Sequence, residues 1–270
     1  MTVKWDSHLL ARQARLDALE MIKNAGASHI GSNFSIADLL AILYTQFLNV
    51  DAQQPHWPQR DRFLLSKGHA VAVLYSVLAH TGFFDVDRLK TFYQHGSPLL
   101  GHANAEVPGI EFSTGSLGHG LSVSVGIALA GQRRQLPYKT VVLLSDGELD
   151  EGSNWEAILF AQQHRLSHLY AIVDYNKIQS LDTVSNVIEL EPLKSKWEAF
   201  GWEVHECDGH DHAAILSQLR SFQSTDQPHV LLAHTVKGKG VSFMENTVLW
   251  HYRIPEDAEY QAAQAELSRA

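Results

Sequence analysis

Five short runs of apolar residues, separated by stretches with helical periodicity, constrain the fold of this 270-residue chain more than any other feature. Runs this short and apolar are typical of strands buried on both faces, and strands that alternate with helices form a parallel sheet. The sequence therefore predicts an α/β fold, a doubly wound parallel sheet with helices on both faces. The predicted strands are residues 62–65, 140–144, 169–173, 202–205 and 230–233.

The helical patterns that would cover this sheet are equally readable. Apolar residues recur with helical spacing over Ser7–Ala25, and Gly26 is expected to end that helix. A second helix is predicted over 35–48, with Ser35 as its N-cap and Asp38 placed to complement its N-terminal dipole. Because the sequence contains no repeat and no low-complexity linker, we expect a single domain over residues 1–270. The remaining predicted helices are 117–133, 154–163, 193–200, 212–222 and a tail at 255–267.

Composition excludes several classes of function. A formal net charge of -9 gives no electrostatic basis for binding nucleic acid. The sequence has neither a signal-peptide pattern nor an apolar run of about 18 residues, so we expect no membrane association and a cytoplasmic location. Cys207 is the single cysteine, which excludes an intrachain disulfide and a cysteine-cluster metal site and suits a reducing compartment.

Each predicted strand is followed by glycine, acidic, amide or imidazole residues. Such turns are common in any protein, so one of them alone indicates little. In an open parallel sheet, however, ligands bind beyond the carboxyl ends of the strands. Five such ends together predict a ligand site at this edge of the sheet. They are residues 66–69, 145–148, 174–176, 208–211 and 237–240.

The most informative of these ends carry Asp146 and Asn176, about thirty residues apart, as expected for one βαβ unit. A carboxylate, an amide oxygen and a nearby main-chain carbonyl form a hard oxygen site for Mg²⁺ or Ca²⁺, with positions left for phosphate oxygens. We expect the carbonyl to be that of Ile178. Gly147 would let the main chain approach a diphosphate. The alternative is a polar turn with an Asx-type cap.

The segment 145–152, followed by 174–178, resembles the thiamine diphosphate motif of transketolases, Gly-Asp-Gly followed about thirty residues later by Asn. It departs from the family at Ser145, where glycine is usual, and at Tyr175, where an Asn pair is common. Neither position supplies a metal ligand in the family. The resemblance therefore implies thiamine diphosphate as cofactor and Mg²⁺ (or Ca²⁺) as its metal ion.

Further blocks resemble transketolases in the same order, so that the resemblance spans roughly residues 10–255. It implies the thiamine-diphosphate-binding fold and the transfer of a two-carbon ketol unit from a ketose (phosphate) to an aldose (phosphate). The sequence departs after His251, where Tyr252 and Arg253 replace the usual glycine and the residue that follows it. The matching blocks are residues 29–32, 66–70, 101–103, 114–121 and 238–251.

The resemblance also implies residue roles. Several histidines can hydrogen-bond sugar hydroxyls and exchange their protons, since imidazole titrates near neutrality. His119 ranks lower, because the family often has glutamine there. The catalytic residues implied are His29, His69, His102 and His251. The cofactor-binding residues implied are His69, Gly115, Ser116, Leu117, Gly147, Glu151, Asn176 and His251. A histidine can also have a purely structural role, and we expect that role for His8, His56, His80, His164, His168, His212, His229 and His234.

Transketolases of the family continue into a pyrimidine-binding domain, which carries the glutamate that activates the cofactor, and a third domain. The resemblance thus implies a separate C-terminal subunit, two copies of each chain, and activity only in that assembly. Three alternatives stay open: the α subunit of a 2-oxoacid dehydrogenase, a deoxyxylulose-phosphate-synthase-like enzyme, and a non-catalytic scaffold. The histidine blocks argue against the first and the retained Asp146 and Asn176 against the third. The sequence leaves the ketose and aldose, and any phosphate or sulfonate they carry, undetermined.

Overall fold

The computed structural model describes residues 5–269 and is built around a five-stranded sheet in which every pairing is parallel. The strand order is β1-β2-β3-β5-β4. This confirms the predicted parallel α/β architecture. The strands are β1 Arg62–Leu65, β2 Thr140–Ser145, β3 Leu169–Tyr175, β4 Glu203–Asp208 and β5 His229–His234.

Helices pack on both faces of this sheet, because successive side chains of a strand point to opposite sides. In β2, Val141 and Leu143 join one buried cluster and Val142 and Leu144 the other. None of the helices between residues 5 and 269 is long and apolar enough to cross a bilayer. The first face is covered by α1 Ser7–Ala25, α3 Ala37–Ile42, α4 Val71–His80, α9 His212–Ser221 and α10 Asp257–Leu267. The second is covered by α5 Gly120–Arg133, α6 Gly152–Gln163 and α8 Leu193–Ala199, and two short helices, α2 Ile30–Ser35 and α7 Val184–Val187, complete the set.

The first helix has the predicted bounds, and Gly26 ends it in the left-handed region at φ 63°. The prediction of a single second helix capped by Ser35 is wrong. Ser35 is the last residue of α2, and its hydroxyl donates to Asp174 Oδ2 at 2.8 Å, so the side chain is engaged in a tertiary contact. After Ile36, α3 runs into a π-helical turn at Leu43–Phe47.

Two other predicted boundaries differ from the structure by three residues. The helix expected over 117–133 begins at Gly120, because Gly118 adopts φ +82°, which an α-helix does not accommodate. The fourth strand is shifted from 202–205 to Glu203–Asp208. Trp202 lies before it as a packing residue, with its ring 4.8 Å from that of Trp197.

Asp38 does more than complement a helix dipole, because it joins α3 to α1, to the loop before α9 and to the first residue of α9. Its carboxylate lies 2.5 Å from the Arg15 guanidinium, 2.7 Å from His210 Nδ1 and 3.0 Å from His212 Nε2. Burial alone would raise the pKa of Asp38. The Arg15 charge and the hydrogen bonds outweigh burial and hold the pKa well below its usual range.

We expect Asp38→Asn to lower the free energy of unfolding by about 3–5 kcal/mol, because it leaves the buried Arg15 charge uncompensated. Chemical denaturation measures this change, with the exposed Asp226→Asn as control. A carboxyl group whose pKa is lowered by folding stabilises the fold at pH values above its unfolded pKa. That stabilisation is lost as the pH falls through the folded pKa. The gap between wild type and Asp38→Asn should therefore shrink below about pH 4. Equal unfolding free energies at neutral pH would contradict the role assigned to Asp38.

Candidate functional site

A cleft of about 250 Å³ opens at the carboxyl ends of β1, β2, β3 and β5, the predicted edge of the sheet. Nearly all the residues predicted for the site line it, although they come from segments spread along most of the chain. Those predicted residues are His29, His69, His102, Gly115, Leu117, Asp146, Gly147, Asn176, Ile178 and His251. Residues that line it without having been predicted are Ser32, Lys67, Ser145, Gln179, Ser180, Lys237 and Tyr252.

The four predicted histidines form one cluster within this cleft. The ring of His29 lies 5.0 Å from that of His69, 6.0 Å from His102 and 5.1 Å from His251. The main chain fixes this arrangement, since the His29 N–H donates to the carbonyl of His251 at 2.8 Å. The cluster thus joins the start of α2 to a segment more than 200 residues later.

These imidazoles favour the neutral form. Burial, reinforced by His102 and two lysines, lowers the pKa of His29 to about 4. Burial and the nearby Lys237 lower that of His251 to about 3. His102 is an exposed residue, and only partial desolvation of its ring lowers its pKa. Burial together with Lys67 lowers the pKa of His69 well below its usual value. Near neutral pH each ring is therefore neutral, with one nitrogen that can accept a hydrogen bond and one that can donate.

Two buried lysines lie at the base of the cleft. Lys67 Nζ donates to Asp174 Oδ2 at 2.5 Å and to the Ser32 carbonyl at 3.0 Å. Lys237 Nζ donates to the Ile178 carbonyl at 2.9 Å and lies 3.1 Å from His251 Nδ1. Burial, with Lys67 nearby, lowers the pKa of Lys237 to about 8. Two cations in this position favour an anionic ligand.

Both lysines belong to the strand-end segments 66–69 and 237–240, which had already been recognised as candidate ligand loops. The resemblance to family motifs assigned a role to the histidine of the first segment and drew on the glycines of the second, but it assigned none to the lysines. The available signal was a lysine within three residues of the end of a buried strand, next to glycine, in a chain with a predicted diphosphate site. That signal alone does not distinguish a buried lysine from a solvated one.

The predicted metal ligands are held together by the main chain. Asp146 Oδ2 accepts a hydrogen bond from the Lys177 N–H at 2.5 Å, and Lys177 lies between Asn176 and Ile178. Burial, together with the neighbouring Asp174, raises the pKa of Asp146 to about 7. A cation beside this carboxyl would favour its ionised form.

The donor set fits a hard cation. Asp146 offers a carboxylate, Asn176 an amide oxygen and Ile178 a main-chain carbonyl. The Ile178 carbonyl accepts a hydrogen bond from Lys237, and its second lone pair remains available. Over residues 5–269, no three His, Cys, Asp or Glu side chains are grouped as metal ligands. A metal ion in this cleft would therefore depend on amide and main-chain oxygens.

Glycines keep two walls of the cleft free of side chains. A Cβ at Gly147 would lie 3.0 Å from Gln179 Cγ, and one at Gly115 would lie 3.0 Å from His102 Cδ2. Both contacts are tighter than ordinary packing allows. The bare main chain at these two positions fits the close approach of a diphosphate.

Some predicted residues lie outside the lining of the cleft. Ser116 is exposed between Gly115 and Leu117, which do line it. Glu151 is exposed as the N-cap residue of α6. His119 is also exposed, and its Nδ1 lies 2.9 Å from the Leu117 carbonyl. None of the histidines for which a structural role was preferred lines the cleft.

Tyr252, where the sequence departs from the family pattern, lies at the mouth of the cleft. Its ring is 4.6 Å from that of His251 and 6.1 Å from that of His29, and the residue is 60% exposed. Ser28 anchors the segment, because its hydroxyl donates to the Tyr252 carbonyl at 3.2 Å.

A parallel α/β fold with buried lysines and a cluster of histidines beyond its strand ends is typical of an enzyme domain that binds an anionic ligand. Residues 7–268 match the family described as Transketolase, thiamine diphosphate binding domain, and the chain belongs to this family. In the structure of transketolase from Campylobacter jejuni, 97% of the chain aligns with a TM-score of 0.90 and 31% identity.

Two relatives resemble the chain over nearly their whole length. One of them, from Phocaeicola vulgatus, is named as a subunit of apulose-4-phosphate transketolase and is 42% identical, over 96% of this chain and 93% of the relative. The 6-deoxy-6-sulfo-D-fructose transketolase subunit SqwG of a Clostridium species is 42% identical, over 93% and 92%. By contrast, the chain spans 41% of human transketolase at 34% identity, and 42% of the Campylobacter jejuni chain. These matches confirm the predicted transketolase assignment and support the split type of this enzyme.

Proposed function

We propose that the chain, as one domain over residues 1–270, is the thiamine-diphosphate-binding subunit of a two-chain transketolase. It would transfer a two-carbon ketol unit from a ketose to an aldose. The observation that carries the proposal is the joint placement of two sets of residues in one cleft. His29, His102 and His251 can address sugar hydroxyls, while Asp146 and Asn176 offer oxygens to a metal ion.

For the cofactor, we assign Asp146, Asn176 and the Ile178 carbonyl to Mg²⁺ (or Ca²⁺), which would bind the diphosphate. Bound thiamine diphosphate supplies the carbon nucleophile and the electron sink for cleavage of the carbon–carbon bond. The buried Lys67 and Lys237 add positive charge beside the diphosphate position. The remaining cofactor contacts are assigned to His69, Gly115, Ser116, Leu117, Gly147, Glu151 and His251.

For the sugar, we assign proton exchange and hydroxyl binding to His29, His102 and His251, with His69 closest to the cofactor side. The lowered pKa values keep these imidazoles neutral, and a neutral ring offers one acceptor and one donor nitrogen to sugar hydroxyls. The clustering of the rings lets one sugar contact several of them at once.

The substrate we propose is a ketose with an anionic end. Two relatives of equal identity are named for a sugar phosphate and a sulfonated sugar. Lys67 and Lys237 already donate to protein acceptors at the base of the cleft. A terminal phosphate or sulfonate would therefore be bound at the mouth by the partner subunit.

The partner we propose is a C-terminal transketolase subunit with the pyrimidine-binding domain, in an assembly of two copies of each chain in the cytoplasm. Exposed apolar residues support a covering chain: Tyr252 in the lining is 60% exposed, Leu181 next to the lining residue Ser180 is 76% exposed, and Leu249, two residues before the lining His251, is 55% exposed. Apolar side chains in such a position typically mark an interface. The single Cys207 is consistent with a reducing compartment.

Asp146→Ala should abolish binding of thiamine diphosphate with Mg²⁺ and leave the fold intact. The loss should exceed the roughly 10–100-fold that removal of an outer-shell partner costs, because a direct ligand is lost. Calorimetry gives the affinity and circular dichroism the fold, with the exposed Asp182→Ala as control. Unchanged affinity in Asp146→Ala would refute the metal assignment.

His29→Ala, His102→Ala and His251→Ala should each keep cofactor affinity and lose turnover by roughly 10²–10⁴-fold, as expected for lost proton transfer. Steady-state kinetics at saturating thiamine diphosphate measures the loss, and calorimetry checks the affinity. His164→Ala, far from the cleft, serves as control. Unchanged kcat/KM in all three variants would contradict the catalytic roles and indicate that these histidines are structural.

The purified chain should be inactive alone and become active when the C-terminal subunit is added. The family's activating glutamate lies on the pyrimidine domain, and an uncovered cleft stays open to water. The assay uses thiamine diphosphate, Mg²⁺ and a panel of free, phosphorylated and sulfonated ketoses, first without and then with the partner. Full activity from the chain alone would overturn the split-enzyme proposal, and inactivity with every partner would favour the scaffold alternative.

A further inference from the structure

Glu148, two residues beyond Asp146, is a fully buried carboxylate that lies behind the cleft without lining it. Its Oε1 accepts from the Ser66 hydroxyl at 2.5 Å and from the Gly118 N–H at 2.9 Å. Its Oε2 lies 3.3 Å from the Ser145 N–H, which donates to it. All of these partners are donors, and an ionised carboxylate is the side chain that accepts without donating.

These three donors belong to the loop after β1, the turn before α5 and the end of β2, and each of these segments carries residues that line the cleft. Ser66 directly precedes Lys67, and Ser145 directly precedes Asp146. Gly118 ends the turn that begins with Gly115. Glu148, itself in the loop after β2, thus connects that loop and the end of β2 to the loop after β1 and the turn before α5.

The loops meet Glu148 with little free space around them. A Cβ at Gly120 would lie 2.2 Å from Ser66 Oγ, so the turn before α5 packs directly against the loop after β1. Gly118 adopts φ +82°, and a Cβ there would lie 2.6 Å from the Cβ of Glu151. The Ser153 hydroxyl donates to the Gly118 carbonyl at 2.7 Å. The position of each loop therefore depends on the others.

We propose that Glu148 is a positioning residue for the cofactor, acting through the three loops that it joins. The proposal rests on the assignment of thiamine diphosphate to this cleft. Without the carboxylate, the Gly118 and Ser145 N–H groups would lose a buried acceptor, which is unfavourable enough to let the loops shift. A shift at Lys67, Gly115 or Asp146 would weaken diphosphate binding, since such sites depend on supporting residues that fix their geometry.

The test compares Glu148→Ala with Glu148→Gln in the full chain together with its partner subunit. Calorimetry with thiamine diphosphate at saturating Mg²⁺ should show a roughly 10–100-fold loss of affinity in Glu148→Ala. Glu148→Gln keeps an oxygen for Ser66 and Gly118 but turns its NH2 toward the Ser145 N–H, so its loss should be smaller than that of Glu148→Ala. Glu198→Gln, on the exposed side of α8, removes the same charge and should bind like the wild type.

A double-mutant cycle separates positioning from general stabilisation. Ser66→Ala alone should weaken binding, and in the Glu148→Ala background it should add no further loss, because their shared hydrogen bond is already absent. Steady-state kinetics should show the KM for thiamine diphosphate raised by a larger factor than kcat is lowered. A purely structural role would lower the melting temperature without this split.

Wild-type affinity in a folded Glu148→Ala chain would overturn this role alone. No binding by the wild-type chain would overturn the cofactor assignment and this role with it. If Glu148→Ala does not fold, Ser66→Ala carries the test, and wild-type affinity in that variant would overturn the proposal.

Discussion

The cleft depends above all on the buried carboxylate of Asp174 at the end of β3. It accepts hydrogen bonds from Ser35 at 2.8 Å, Lys67 at 2.5 Å and the amide of Asn176 at 3.0 Å, and it also binds Thr235. Burial alone would raise the pKa of Asp174, but the Lys67 charge and these hydrogen bonds lower it. A buried charge is tolerated when its lone pairs are satisfied in this way. Asp174 thereby fixes α2, the loop after β1, the loop after β5 and Asn176 relative to one another.

The same contacts set the charge balance of the cleft. The charge of Lys67 is balanced by Asp174, whereas Lys237 donates to two carbonyls and lies beside His251 Nδ1. These two cations, together with burial, keep the surrounding imidazoles neutral, and burial beside Asp174 keeps the pKa of Asp146 high. The arrangement is therefore suited to a metal ion and an anionic ligand bound together, since each would offset the charge of the other.

Apolar spacing and capping residues correctly predicted those helix bounds that depend on neighbouring residues alone. The helix Ser7–Ala25 and its end at Gly26 follow from apolar spacing and from the left-handed conformation that glycine tolerates. The same reasoning failed at Ser35, which has the residue type of an N-cap but gives its hydroxyl to Asp174, 139 residues away. It also gave Asp38 too small a role, because both histidines that bind it follow β4.

The sequence by itself determined the parallel α/β class, the strand ends as the place of the site, and the residues that resemble the transketolase motifs. Apolar periodicity and residue spacing are properties of short segments, and so they are visible in one dimension. Only the tertiary structure decided that Lys67 and Lys237 are buried, that Ser116 and Glu151 lie outside the cleft lining, and that Glu148 joins three loops. Burial and hydrogen bonding between distant segments arise when the strands pair in register, as Ser145 does beside Asp174.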